Sequence, residues 1–484
     1  MNLDDVLAKW SAYLSTRLAN GSEYEKNVLS FDLSSASKWG PQGGHPRLEE
    51  VINDTVLPTF RRAQADSLLS VLADPKWEEA KAARLAELRA LGINNLRPKS
   101  PMQVVKLIQS QNAERLASNS GFPSFSRRKK EGVWRLAVQD AETGKYQGYP
   151  AILLFRRYRG KLRMVWMYPF STNITEACYY YPLFNSMLSK PELTEGFFSP
   201  WTGFEGVRKL VTETYEAKKR IAASDFSATD EHFTWKVTEQ VGEVLAQLFQ
   251  PAYRDGLLQS LHHMHEIGLL ISPTQEISGM HGVSSGSMWT NFIETVFDWI
   301  LAKYCELASH GAVQGLYAIG DDMAWTTTMP EDTFTHWLER IGINVGQEIK
   351  AEKTMLKPDK VKTLQRLFQP GYRQENSDLL RGVYPTIRAL NSLVYPERMH
   401  NPKDWNYDMF ATRVFMILEN CVDHPLFKDF VNFVISGNPR LGTWVTQRDS
   451  KLDRIFEKSK TLTGLVPTYN QEKKDSKSIS LSLA

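Results

Sequence analysis

Three aspartates in this chain stand where carboxylates could hold divalent cations. Asp225 closes the short apolar run KRIAASDF, and Asp321 and Asp322 follow Gly320 in LYAIGDDMAWTT, which reads as two strands joined at the turn. Magnesium takes oxygen ligands and binds through a few carboxylates plus substrate phosphates. Two such ions, roughly 4 Å apart, can activate an attacking oxygen and hold a triphosphate in nucleotidyl transfer. That chemistry needs aspartates brought together at the ends of adjacent strands, and the two runs suit it. Each piece also has a plainer reading. Gly-Asp-Asp makes an ordinary hairpin turn, Asp230 fits a capping box with Ser227, and Ser285-Gly286 could merely start a helix.

Elements able to position these groups are visible in the pattern. Phe233, Val237, Val241, Val244, Leu245 and Leu248 recur at helical spacing, and SSGSMWTNFIETVFDWILAKYCELA is a long helical pattern entered through a Gly/Ser-rich turn. VWRLAVQD and AILLFRRYRGKLRMVWMYPF read as successive strands, with positions 157, 159, 161 and 163 placing four cations on one face. A charged edge strand that resists aggregation would look the same. The stretch from Arg127 to Arg163 holds eleven Lys or Arg against three Asp or Glu, a local net charge of +8. A helix is expected from Pro75 to Leu91 with Gly92 closing it, and residues 373–466 look mainly helical. The end, YNQEKKDSKSISLSLA, has no apolar face and is expected to be a mobile tail.

A length of 484 residues suggests two or three lobes. The overall charge of +3 is too small to announce a nucleic-acid protein, so that case rests on local clustering. Three widely spaced cysteines (Cys178, Cys305, Cys421) fit a reducing compartment and argue against a disulfide framework. The acidic start lacks the positive charge of a signal peptide. No run of about 18 apolar residues appears, so no membrane span is expected. The cluster Leu261-His-His-Met-His-Glu266 invites a zinc reading but has no cysteine partners nearby.

Taken in order, the motifs resemble those of viral RNA-dependent RNA polymerases. Asp225-x4-Asp230 is similar to motif A, Ser285-Gly286-x3-Thr290 to motif B, and Gly320-Asp321-Asp322 to motif C. GINVGQEIKAEKT resembles motif D, with Lys353 the best match and Lys350 the reserve, and TLQRLFQPGY resembles the motif E hairpin. Upstream, SNSGFP (Ser118 to Pro123) is similar to motif G and RGKLRMVW to motif F. RGVYPTIRALNSLVYPE and the style of motif B are similar to small segmented double-stranded RNA viruses, picobirnaviruses first and partitiviruses second.

The resemblance implies an α/β (α+β) right-hand fold of fingers, palm and thumb, with an antiparallel palm sheet backed by helices. It divides the chain into a bracing segment (1–105), fingers (106–215), palm with motif A (216–234), a fingers insertion (235–277), palm with motifs B to E (278–372), a helical thumb (373–466) and the tail (467–484). Asp225, Asp321 and Asp322, with the Phe226 carbonyl, are expected to bind two Mg²⁺ or Mn²⁺ ions. Lys353 is the expected general acid. Asp230, Ser285, Gly286 and Thr290 would contact the nucleotide, and Arg159, Lys161 and Arg163 its triphosphate. Ser118, Gly121, Pro123, Arg127 and Arg128 would guide the template. The family has Asn where this chain has Glu294, so either Asn291 or Glu294 would read the ribose. Expected partners are RNA template and product, NTPs and a capsid protein, with a monomeric enzyme inside the virion in the host cytoplasm. The alternatives are a reverse transcriptase, disfavoured by Ser227 and Asp230 where that class carries an aromatic gate, and a non-catalytic RNA-binding capsid-associated protein.

Overall fold

The computed structural model describes residues 3–41, 51–64, 69–111, 113–158, 161–350, 354–396, 403 and 405–459. Its strands, in chain order, are β1 (Ala151–Tyr158), β2 (Lys161–Met167), β3 (Arg220–Asp225), β4 (Leu269–Ser272), β5 (Gln275–Ile277), β6 (Val313–Ile319), β7 (Asp322–Thr327), β8 (Met355–Leu356), β9 (Val361–Thr363) and β10 (Arg366–Phe368). The central sheet runs β6-β7-β3-β8 with every pair antiparallel. Its inner residues Ala222, Met323 and Trp325 share one core with Phe297, Leu301 and Ala302 of the Thr290–Ala308 helix. The helix is apolar nearly all round, which suits an element enclosed by the sheet on one side and other helices on the other. Trp325 Nε1 donates to Ser224 Oγ at 2.8 Å, so the indole is buried without an orphaned donor.

A second sheet, β2-β1-β4-β5, carries the basic hairpin. Two expectations are corrected here. VWRLAVQD is not a strand but part of the Glu131–Glu142 helix. Trp134, Ala137, Val138 and Ala141 recur at helical spacing and pack with Val104 and Ile174, a periodicity that outweighs the short alternation. The single-face run of cations also fails: the chain turns after Tyr158, and the register sets position 156 opposite Arg163 and position 157 opposite Leu162. Cross-strand partners share a face, so 157 and 163 fall on opposite ones.

The Pro75–Ala90 helix appears as expected, capped by Asp74 through the Lys76 N–H at 3.0 Å, with Gly92 left-handed (φ +79°) just past its end. Towards the C-terminus lie the helices Thr386–Val394, Tyr407–Glu419, Phe427–Gly437, Arg440–Val445 and Asp449–Ser459. They form one core with the N-terminal helix Leu3–Asn20, whose Trp10 and Leu14 pack among Phe415 and Phe430. The expected tail lies outside the described residues. Among the described residues no helix is long and apolar enough to cross a membrane, and the three cysteines are buried and unbridged.

Candidate active site

Strand pairing brings the acidic residues together. In the β3–β7 ladder Asp225 lies directly opposite Asp322, and the β6–β7 hairpin sets Ile319 opposite Asp322 across the turn. Gly320 has φ +58°, and a Cβ there would meet Asn291 Nδ2 at 2.8 Å and Glu294 Oε2 at 3.4 Å. Glycine is therefore required twice at this point, for the left-handed backbone and for the close approach of the helix. The Gly320 N–H donates to Thr295 Oγ1 at 2.9 Å, and Thr295 Oγ1 donates to the Asn291 carbonyl at 2.6 Å. The first two turns of the Thr290–Ala308 helix thus hold the turn in place.

The electrostatics are those of crowded carboxylates. Burial, followed by the charges of Asp321 and Asp225, pushes Asp322 up to about 7, against the pull of Arg388 and Lys362. Asp230 is pushed up to about 6 by burial and by Asp321, with Arg163 opposing. Asp230 keeps an open side on the cleft, so water reaches it and softens the burial contribution. Glu294 and Asp298, buried beneath the turn, sit well above the ordinary carboxylic-acid range, chiefly through burial and then through neighbouring acids. Divalent cations would relieve this repulsion. Among the described residues no three His, Cys, Asp or Glu form a complete cage by themselves. Asp225 and Asp322 lie on paired strands, and Asp321 stands at the turn between β6 and β7.

The other expected residues divide by what they touch. Asp230 is not the end of a capping box. The short helix Thr229–His232 has left-handed Ala228 at its cap with no side-chain bond, and the buried Ser227 hydroxyl finds no partner among the described residues. Ser285 Oγ accepts the Trp166 N–H at 3.2 Å, and a Cβ on Gly286 would lie 2.0 Å from the Trp166 carbonyl, so this loop is seated on β2. The Thr290 hydroxyl donates to the Ser284 carbonyl at 2.6 Å and braces that loop. Asn291 is exposed beside the turn, whereas Glu294 is buried behind it. The Phe226 backbone bridges to Ile349, tying β3 to the segment before Lys350, whose Nζ lies 3.4 Å from Glu348 Oε1. Arg163 is exposed on β2. Arg159 and Lys353 lie outside the described residues, and of Lys161 only the backbone is described. His265 has one ring nitrogen 3.0 Å from the His281 carbonyl and the other 2.7 Å from Thr238 Oγ1, a structural role.

The template-side residues join the same framework. Gly121, with φ +67°, would bring a Cβ within 2.6 Å of the Tyr168 carbonyl. Ser118 accepts the Arg128 N–H through its carbonyl at 3.0 Å, while Pro123 and Arg127 are exposed. Arg128 donates to Asn173 Oδ1 at 3.0 Å, and Asn173 Nδ2 donates to the Gly286 carbonyl at 3.1 Å. Asn173, Glu176, Thr295 and Asp298 were not singled out from sequence. Each sits in a helix whose apolar pattern hid it, and the only available signal was a polar residue on an otherwise buried face.

Comparisons with known proteins show what the chain as a whole resembles. The model of a family described as viral RNA-dependent RNA polymerase matches residues 158–380. A protein of human picobirnavirus (strain Human/Thailand/Hy005102/-), described as a potential RNA-dependent RNA polymerase, is 26% identical over 495 residues, covering 97% of this chain and 86% of the relative. The crystal structure of a human picobirnavirus RNA-dependent RNA polymerase superposes with a TM-score of 0.76 at 24% identity, covering 96% of this chain and 87% of that one. An insertion-loop deletion mutant of such an enzyme gives 0.76 at 22% identity, with 98% and 92% covered. The fold is accordingly the expected right hand, and the proteins named here come from picobirnaviruses, the first of the two expected sources.

Proposed function

With this chain an RNA-directed RNA polymerase of the viral kind, we propose that it extends RNA by two-metal-ion nucleotidyl transfer and copies and transcribes a double-stranded RNA genome. The observation that carries the reading is the pairing of Asp225 with Asp322 beside the Gly320 turn. Bound magnesium or manganese would supply Lewis acidity at the attacking oxygen and the triphosphate. The chain's own residues do the rest. Asp225, Asp321 and Asp322 hold the ions, with the Phe226 carbonyl as a further ligand, and Arg163 with Lys161 and Arg159 neutralises the triphosphate. Asp230 and Asn291, the exposed member of the Asn291/Glu294 pair, bond the sugar hydroxyls. A site built to bond a hydroxyl leaves its polar groups unpaired when the 2′-OH is missing, which selects ribonucleotides. Lys353 protonates the pyrophosphate leaving group.

The lobes follow the division drawn from sequence, with template entering past Ser118–Arg128 and the seated Ser285-Gly286 loop. The enzyme works as a monomer beside a capsid protein, within a particle in the host cytoplasm, and its tail after 467 assists primer-independent starts. Purified protein with Mg²⁺ or Mn²⁺, an RNA template and labelled nucleotides tests the central claim. Incorporation of rNTPs in preference to dNTPs, abolished in Asp321→Asn, is expected. Preferential dNTP use would instead make it a reverse transcriptase, and wild-type protein that binds RNA without synthesis would favour the non-catalytic alternative.

A further inference from the structure

The short helix that carries Asp230 has little of its own to hold it. Thr229–His232 is four residues long, and its cap, left-handed Ala228, makes no side-chain bond. One flank is tied to the segment before Lys350. There the Ser227 N–H donates to the Glu348 carbonyl at 2.7 Å, and Gln347 Nε2 to the His232 carbonyl at 3.3 Å. The other flank rests on the helix Leu57–Gln64, in a region expected from sequence only to brace the fold.

The Leu57–Gln64 helix is anchored by its apolar side. Phe60 is buried with Val56, Trp166 and Tyr168, and its ring centroid lies 6.1 Å from that of Trp166 and 5.1 Å from that of His281. Thr59 beside it is 1% exposed, so its hydroxyl must find partners inside the protein. A threonine hydroxyl can accept and donate at once, and this one does both. It accepts the Gly282 N–H at 3.2 Å and donates to the Asp230 carbonyl at 3.3 Å. A Cβ on Gly282 would collide with that same carbonyl oxygen, so three distant stretches of chain meet at one point. Arg62 Nε lies 3.9 Å from Glu231 Oε2, a second contact to the short helix but a solvated and weaker one.

We propose that Thr59 is a positioning residue for ribose selection. Its hydroxyl fixes the Asp230 backbone against the loop leading to Ser285-Gly286, and so sets where the Asp230 carboxylate meets the sugar; the inference rests on the sugar-binding reading of Asp230 above. Buried as it is, Thr59 acts through that backbone and not on substrate. A displaced Asp230 loses most where a hydroxyl has to be met, so the cost falls on ribonucleotides.

Single-nucleotide extension of a primed template by the full chain gives kcat/KM for a matched rNTP and for its dNTP. Thr59→Val keeps the shape and removes both bonds. The rNTP value should fall about tenfold while the dNTP value stays within about twofold. A merely structural role would lower both alike. Thr59→Ser should restore the wild-type ratio. Asp230→Ala should itself lower the ratio, and Thr59→Val added to it should lower it no further, because residues acting through one contact are not additive. Should Thr59→Val not fold, Thr59→Ala carries the same test. An unchanged ratio in the folded Thr59 variant, or equal losses for the two substrates, overturns the role of Thr59 while a lowered ratio in Asp230→Ala leaves the sugar reading standing. A wild-type ratio in Asp230→Ala overturns the sugar reading of Asp230, and the inference with it.

Discussion

Thr295 and Gly320 are joined by a 2.9 Å hydrogen bond from the glycine N–H to the threonine hydroxyl, and this bond couples the helix that follows the Ser285-Gly286 loop to the turn bearing Asp321 and Asp322. Thr295→Val keeps the shape and removes the acceptor, leaving a buried N–H unsatisfied at a cost of roughly 1–3 kcal/mol. The turn would then shift against its ions, and a displacement of this kind lowers turnover by about tenfold or more. Single-nucleotide extension should show the loss in kcat for Val and near-wild-type rates for Thr295→Ser.

The facing pair Asp225 and Asp322 predicts a strict requirement for divalent cation. Asp225→Asn and Asp321→Asn should each lower incorporation by about 10³-fold or more. EDTA should abolish wild-type synthesis, with recovery on adding Mg²⁺ or Mn²⁺. Both variants should unfold no more readily than wild type, because removing one acid relieves repulsion in this cluster. Residual synthesis at wild-type rates in Asp321→Asn would move the metal site elsewhere.

The meeting of Asp225 and Asp322 was legible because each lies at the end of a run whose apolar pattern announces a strand, and the ladder sets the two opposite each other. The long helix at 290–308 and the helix at 75–90 were legible through period and capping. VWRLAVQD was misread since eight residues cannot separate a short alternation from one amphipathic helical face, and only its packing on Val104 and Ile174 decides. The Arg157 to Arg163 run was misread because nothing local marked the reversal after Tyr158. Partners such as Asn173 with Gly286, 113 positions apart, depend on how distant segments dock, which no local pattern carries.

One buried acid, Asp32, adds polar ties between the N-terminal helices and the C-terminal ones to the apolar core they share. Asp32 accepts the first two N–H groups of the Thr386–Val394 helix and lies 3.1 Å from His424 Nε2, while Trp10 Nε1 donates to Thr386 Oγ1 at 2.7 Å. Asp32→Ala strips the helix of its cap and leaves buried donors unpaired, a loss of roughly 2–4 kcal/mol. The urea midpoint should fall, and proteolysis between the Glu23–Ser34 helix and Gly40 should accelerate. Unchanged protection there would mean that apolar packing around Trp10 holds the segment without the acid.

Glu176 gives a pH signature independent of the metal site. It is 2% exposed, accepts from Ser287 Oγ at 2.6 Å, the Met288 N–H at 2.9 Å and Asn173 Nδ2 at 3.3 Å, and is pushed up to about 7 by burial despite those donors. Its folded value lies above the unfolded one, so the neutral form is favoured in the fold. The stability it contributes is fully present below about 4.5, where both states are protonated, and is lost progressively as pH rises through about 7. Glu176→Gln can keep the Met288 and Asn173 bonds through its carbonyl and donate to Ser287 through its amide. It should therefore fold normally and flatten the dependence of the urea midpoint on pH between about 4.5 and 7. Template affinity should follow the same course, falling with rising pH in the wild type and not in the variant, because this carboxyl anchors the loop carrying Ser285 and Gly286. An identical pH profile in both proteins would assign the dependence to another group.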